Sequence, residues 1–390
     1  MNYADPESPI SLIRGGSFYW VQEKARLIRP NNWNLSLRLP LAIAIAWLPM
    51  LILVATHAGS GAGNDLYAFL TDYRVYARIF IAIPLLLVGQ VTMETHFREM
   101  GQHFLDANLV RAGDLPVFQK IMQKAVRLRD AKVPEILILV AVYLQIAYIL
   151  QSGRLRNASW AVDSASGSFT PAGYYSLLVA HALFLGLLAL AIWKWIIWIL
   201  VLRDISRLDL QLDATDGDLA AGLGFLGEVP KAFVPVVLAM SAVIGANWRY
   251  QILSENISLL SLKFPAGVLA VLVLAIFLLP LLLFTPKLIR EKKEGGLKYG
   301  SLRHLHSLQF RSKWIDERND HVESLLGTSD VSSLADISAS FRNVEEMSIV
   351  PFQKSAAIAL LAGLVIPMIP ALTAQIPLKE VLKTLADALH

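Results

Sequence analysis

The residues most suggestive of chemistry are glycines. In "DATDGDLAAGLGFLGEVP", residues 213–230, Gly222, Gly224 and Gly227 spell G-x-G-x-x-G. In dinucleotide-binding folds the backbone amides of such a loop cradle a pyrophosphate at a helix start. That chemistry needs a strand before the glycines, a helix after them inside a βαβ unit, and an acidic residue about 20 positions further on. Here a long apolar segment precedes the stretch, Pro230 closes it, and the required acidic position falls inside another apolar segment. The glycines therefore read as packing residues. Ala220, Ala221, Gly222 and Gly224 allow close backbone approach, and Leu223, Phe225 and Leu226 are expected to bury. The acidic run before them is expected to cap a short helix beginning near Leu219. Asp216, Asp218, Gly222, Gly224 and Phe225 form the candidate functional motif.

Other chemistry is sparse. The chain has no G-x-S-x-G elbow, no H-E-x-x-H and no Walker loop. Asp204, Asp209, Asp213, Asp216 and Asp218 supply carboxylates but not the spacing of a calcium loop, and pairing with Arg203 and Arg207 accounts for them more simply. His304, His306 and His321 lack a fourth ligand at a matching spacing. With no cysteine there is no thiolate metal site, thiol nucleophile or disulfide framework. No catalytic, cofactor-binding or metal-ligating set is expected, and an enzyme is the least favoured class. The basic residues show no alternation with aromatics and no reading motif, so nucleic acid is not an expected partner.

The elements that position these residues are apolar blocks. Apolar residues make up 55% of the chain and charged residues 17%, with a mean hydropathy of +0.51. Seven stretches, 39–58, 77–97, 134–152, 175–201, 232–248, 264–286 and 355–374, are long and uncharged enough to cross a bilayer, and in lipid each must be helical. The expected fold is an all-α polytopic bundle. Of the Lys and Arg residues, 26 lie in the odd-numbered connections and 8 in the even-numbered ones. Positive charge resists translocation, which puts the N-terminus in the cytoplasm and the C-terminus outside. The chain divides into a cytoplasmic N-terminus (1–38), a six-helix membrane region (39–286) with cytoplasmic loops 98–132 and 202–231, a basic helical region (287–354), and a seventh span with an amphipathic tail (355–390). Within 98–132 two short amphipathic helices are expected, broken at Gly113 to Pro116. A further helix is expected within 326–346.

Two ionisable residues fall in the fourth span. Lys194, among Trp193, Trp195 and Trp198, reads as an interfacial anchor that snorkels; His181 reads as a hydrogen-bonded packing residue before it reads as a proton carrier. No carboxylate falls at a bilayer centre, which disfavours a proton- or sodium-coupled carrier. Pro235 and Gly245 in the fifth span, and Pro367 and Pro370 in the seventh, mark interrupted helices, and with His181 they are the candidate pathway. The expected function is a channel or facilitator for an ion or small solute. The alternative is a membrane sensor or scaffold for a protein or lipid partner. The expected partners are the bilayer itself, anionic lipid at the basic cytoplasmic loops, and a second copy of the chain.

Finally, "RDISRLDLQL" leading into "AAGLGFLG", then "LLGTSDVSSLADISASFRNVEEMSIVPF" and "IPMIPALTAQIPLKEVLKTL" resemble a family of uncharacterised bacterial multi-pass membrane proteins, over most of the chain from "SLIRGG" at 11–16 onward. The resemblance implies a helical fold in the bacterial inner membrane and no mechanism. Family members tend to carry His-Pro-Asp where this chain has Asp216, Gly217 and Asp218, and a second Gly where it has Ala221.

Overall fold

The computed structural model describes residues 11–29, 33–58, 63–152, 159–163, 167–316 and 329–374. The expected outer amphipathic tail, 376–389, lies outside them, as does His321. Among the described residues the regular structure is helical, with only isolated backbone bridges beside it. Among the described residues seven helices are long and apolar enough to cross a membrane, the pattern of a multi-pass membrane protein.

After α1 (Ser17–Lys24), the first long helix is α2 (Leu35–Ala58), followed by the short α3 (Gly63–Thr71). The second, α4, runs without a break from Tyr73 to Asp106 and contains a π-turn at Ala77–Ala82. The first of the two short helices expected in 98–132 is thus the end of α4, and only the second, α5 (Leu115–Arg129), is separate. It buries Phe118, Ile121, Met122 and Ala125 and leaves Lys120, Lys124 and Arg127 exposed, so its apolar face is spent on the protein itself. Helix α6 (Lys132–Ser152) follows, then α7 (Pro171–Ile205), which holds a second π-turn at Ser176–His181.

Helix α8 (Val234–Ser254) starts four residues after Pro230 and carries Pro235 in its first turn. Proline there removes no helical hydrogen bond, because a first-turn amide has no helical acceptor. The expected interruption of this span at Pro235 is therefore not found. Helix α9 (Lys263–Leu278) tightens into a 3₁₀ turn at Leu279–Phe284 and then continues as α10 (Thr285–Arg311), so the basic region grows out of the sixth span. Helix α11 (Ser329–Glu346) packs along α10. The last span, α12 (Lys354–Leu372), breaks into a 3₁₀ turn at Ile366–Met368, where Pro367 withholds a donor.

Helices α4, α7 and α8 form the centre of the bundle, with α2, α9 and α12 packed around them. Helices α6 and α9 expose Val133, Ile136, Leu137, Leu144, Phe264 and Val271, large apolar side chains suited to an apolar surrounding. At the end of the bundle where the N-terminal segment, α5 and α10 gather, hereafter the basic end, an aromatic stack joins three helices. Phe97 lies parallel to Trp198 at 6.2 Å, and Phe233 bridges Trp198 at 5.7 Å and Phe277 at 4.9 Å. Such pairs add about 0.5–1.5 kcal/mol each beyond their buried area, and they fix α4, α7 and α9 at this end.

Candidate functional site

Three places carry the residues singled out above. The first is the glycine loop. Here Leu219, Ala221 and Gly222 have φ of 55°, 56° and 86°, so no helix begins at Leu219, and the expected capped helix is replaced by a coil. Left-handed backbone costs a non-glycine residue about 1–2 kcal/mol, and a single side chain offsets it. Asp218 accepts hydrogen bonds from the amides of Ala220 (2.7 Å) and Gly222 (3.0 Å) on one oxygen, and of Gly224 (2.7 Å) on the other. Asp216 in turn accepts from the Asp218 amide at 2.9 Å. The amides of a phosphate cradle are present, and the chain's own carboxylate occupies them. Gly224 is required because a Cβ there would approach the Asp218 carboxylate to 2.9 Å.

This loop is clamped from both sides. Leu223 and Leu226 are fully buried, and Phe225 packs on His103 at 4.2 Å and Phe104 at 5.1 Å. The last turn of α11 and the segment leading to α12 close over it: Asn343 donates to Thr215 O (3.0 Å), Ser348 donates its amide to the Leu219 carbonyl (2.7 Å), and Gln353 donates to Gly224 O (3.1 Å). Asp216, Asp218, Gly222, Gly224 and Phe225 are thus brought together as a structural knot.

The second place is the seam between α8 and α12. A Cβ on Gly245 would meet the Pro367 carbonyl at 3.0 Å and the Met368 Cα at 3.2 Å, and one on Gly363 would meet Val234 at 3.3 Å. Fully buried Ser241 donates to the Leu364 carbonyl, just before the 3₁₀ turn. The Pro370 carbonyl accepts from Arg249. Gly245, Pro367 and Pro370 come together as expected, Pro235 lies at the far end of the same helix, and the contact they make is backbone against backbone.

The third place is the set of ionisable groups inside the helices. His181 closes the π-turn of α7, and neither of its ring nitrogens has a hydrogen-bond partner, contrary to the packing role expected for it. The π-turn of α4 carries Arg78, whose buried Nε also has no partner, and which lies close enough for its charge to act on the His181 ring. Helix α2 touches both π-turns and adds Trp47, whose indole N–H is buried and unpartnered. Nearby Asp72 is fully engaged, by Arg74 at 2.9 and 3.0 Å and by the Trp160 indole at 3.1 Å. Sequence reasoning missed Arg78, because at the start of the second apolar block it was counted with the connecting residues. The signal available was its place one residue inside that block.

At the basic end Lys194 does not simply reach for the interface. The segment Ser11–Lys24 lies across it as a strap. Ser11 donates to Glu94 (2.6 Å), Arg129 donates to the Ser11 carbonyl (2.5 Å), the Gly16 amide binds Asp130 (3.0 Å), and the Ser17 amide binds Glu135 (2.7 Å). Beneath the strap is a cavity of about 30 Å³ lined by Tyr19, Gln22, Gln90, Glu135, Trp193 and Lys194 among others. Arg38 backs it, 2% exposed, with Nε on Gln22 (2.8 Å) and Nη2 on Gln90 (2.7 Å). Against family models, curated proteins and solved structures the chain has no match.

Proposed function

We propose that this protein is a channel or facilitator for a small anion in the bacterial inner membrane, with the N-terminus cytoplasmic, the C-terminus outside, and the path closed in the conformation described. One observation carries this reading: partnerless basic groups lie on both sides of an apolar layer of one helix. On α7, partnerless His181 lies near one end, within reach of the Arg78 charge, and Lys194 lines the cavity near the other. The 13 residues from one to the other rise about 20 Å, and buried Phe184, Leu187 and Ala191 fill the interval. A buried cation without a partner costs several kcal/mol, so a membrane helix keeps one where it meets a solute. The sign follows from the neighbours, since Asp72 and Glu94 already have cationic partners in Arg74 and Arg14, and Glu135, which lines the cavity, accepts the Ser17 amide.

The test is flux. Purified protein in liposomes should release chloride or nitrate down a gradient while holding sodium and potassium, and Arg78→Gln should slow release about tenfold. Vesicles that stay tight to a panel of small anions, or that leak cations instead, would overturn the reading.

A further inference from the structure

We infer that the cavity under the N-terminal strap is a binding site for one small monovalent anion of halide size, held by Lys194 and capped by Tyr19 of α1. This deepens the anion reading above and rests on it for the ligand's sign, but the donors and the charge around the cavity argue for it separately.

In the polar lining Gln22 and Arg129 spend their donors on Phe18 O, Asp130 and Ser11 O, but three other side chains keep donors free. Lys194 has no ion pair or hydrogen bond among the described residues. Trp193 lines the cavity with its indole N–H buried and without a partner. Gln90 uses its carbonyl oxygen on Arg38, which leaves its amide N–H groups to donate. Burial, then the charge of Glu23, pushes the Tyr19 phenol above its ordinary value, so Tyr19 keeps its proton. The one carboxylate in the lining, Glu135, is turned to the strap, where an oxygen accepts the Ser17 amide.

The charges give the valence. Arg129 pairs with Asp130 through two hydrogen bonds (2.8 and 2.6 Å), and Arg14 pairs with Glu94 at 3.8 Å. What remains is Lys194 and buried Arg38 against Glu135, one positive charge in excess. Arg38 also keeps a buried Nη1 without a partner, so the excess is not satisfied locally. The volume gives the size. About 30 Å³ admits about one or two water-sized groups, enough for a halide and too little for a phosphoester. Solvent-excluding walls from Trp33, Phe18 and Leu190 strengthen each contact.

The experiment is calorimetric titration of bromide into the detergent-purified full chain in gluconate buffer. Wild type should show saturable binding of one bromide. Lys194→Met should weaken it at least tenfold, and Trp193→Phe, which removes the orphan N–H and shortens the ring while keeping an aromatic wall, should weaken it several-fold. Both variants are first checked for a monodisperse elution profile, and if Lys194→Met fails to fold, Trp193→Phe decides. No saturable bromide heat in wild type, or unchanged affinity in the folded variants, overturns the site. Anion flux without bromide binding removes this site and leaves the facilitator; binding in vesicles that pass no anion does the reverse.

Discussion

The Asp218 carboxylate accepts the Gly224 amide at 2.7 Å across six residues of chain, and the same side chain holds the amides of Ala220 and Gly222. One acidic residue does for this loop what a pyrophosphate does in a dinucleotide fold. It supplies a negative charge to converging N–H groups. Because the anion is covalently attached, the loop is organised with no ligand to lose. Asp218→Ala is therefore expected to lower the melting temperature of the purified protein by several degrees, since each buried amide left unsatisfied costs about 1–3 kcal/mol. Asp216→Ala, which removes an acceptor for one amide, should cost less. Sulfate at millimolar concentration should restore part of the stability of Asp218→Ala and do nothing for wild type. Equal losses in the two variants would refute this division of labour.

The seam between α8 and α12 makes a second prediction. Gly245→Val places side-chain carbon against the Pro367 carbonyl and Met368 Cα, backbone atoms that cannot swing aside. Overpacking of this kind costs about 1–3 kcal/mol. Gly267→Ala, with nothing within 4 Å of its Cβ, is the control and should be neutral or slightly stabilising, because alanine suits a helix better. Thermal unfolding in one detergent compares the two directly, and a benign Gly245→Val would mean that the seam opens easily.

How much of this was legible beforehand depends on the range of the forces involved. The seven spans were readable because the bilayer imposes about 20 apolar residues on each helix. The helix ends were not, since α4 continues unbroken to Asp106 and α9 leads through a tight turn into α10, and the charged residues that end an apolar block do not end a helix. The carboxylate in the glycine loop was hidden by the left-handed backbone at Leu219 and Ala221, residues whose propensities point elsewhere. The strap was hidden by distance along the chain: Ser11 meets Glu94, and Ser17 meets Glu135. His181 was visible as a lone histidine in an apolar run, whereas Arg78, whose charge reaches it, stood at a block edge, where a positive count absorbed it.

Acid should loosen the basic end. Asp330, at the start of α11, accepts from Lys313 (2.8 Å) and the Trp314 indole (3.0 Å), and these two contacts, the lysine first, hold its carboxyl below the ordinary aspartate value. A group depressed in the folded state stabilises above its unfolded pKa, about 3.9, and loses that contribution as pH falls through the folded value. Packing of α11 on α10 should therefore be constant from pH 7 to about 5 and weaken below about 4. Amide exchange over 329–346 reads this, and in Asp330→Asn the dependence below about pH 4 should flatten. A transition centred near neutrality would assign the change to another group.

The last prediction separates function from stability at one residue. Arg78 lies in the π-turn of α4 with its Nε buried and, among the described residues, without an acceptor. If the group were structural, its removal would leave partners unsatisfied and destabilise the fold; here there are none to abandon. Arg78→Met keeps the stem's length and apolar packing while deleting an uncompensated charge, so the melting temperature should rise by a few degrees, as replacing buried charge with a well-packed apolar side chain often does. In the same preparation anion release from liposomes should fall about tenfold. A gain in stability paired with a loss of flux is the signature of a residue kept for its work on a solute. A melting temperature that drops would instead give Arg78 a structural role and remove the outer half of the proposed path.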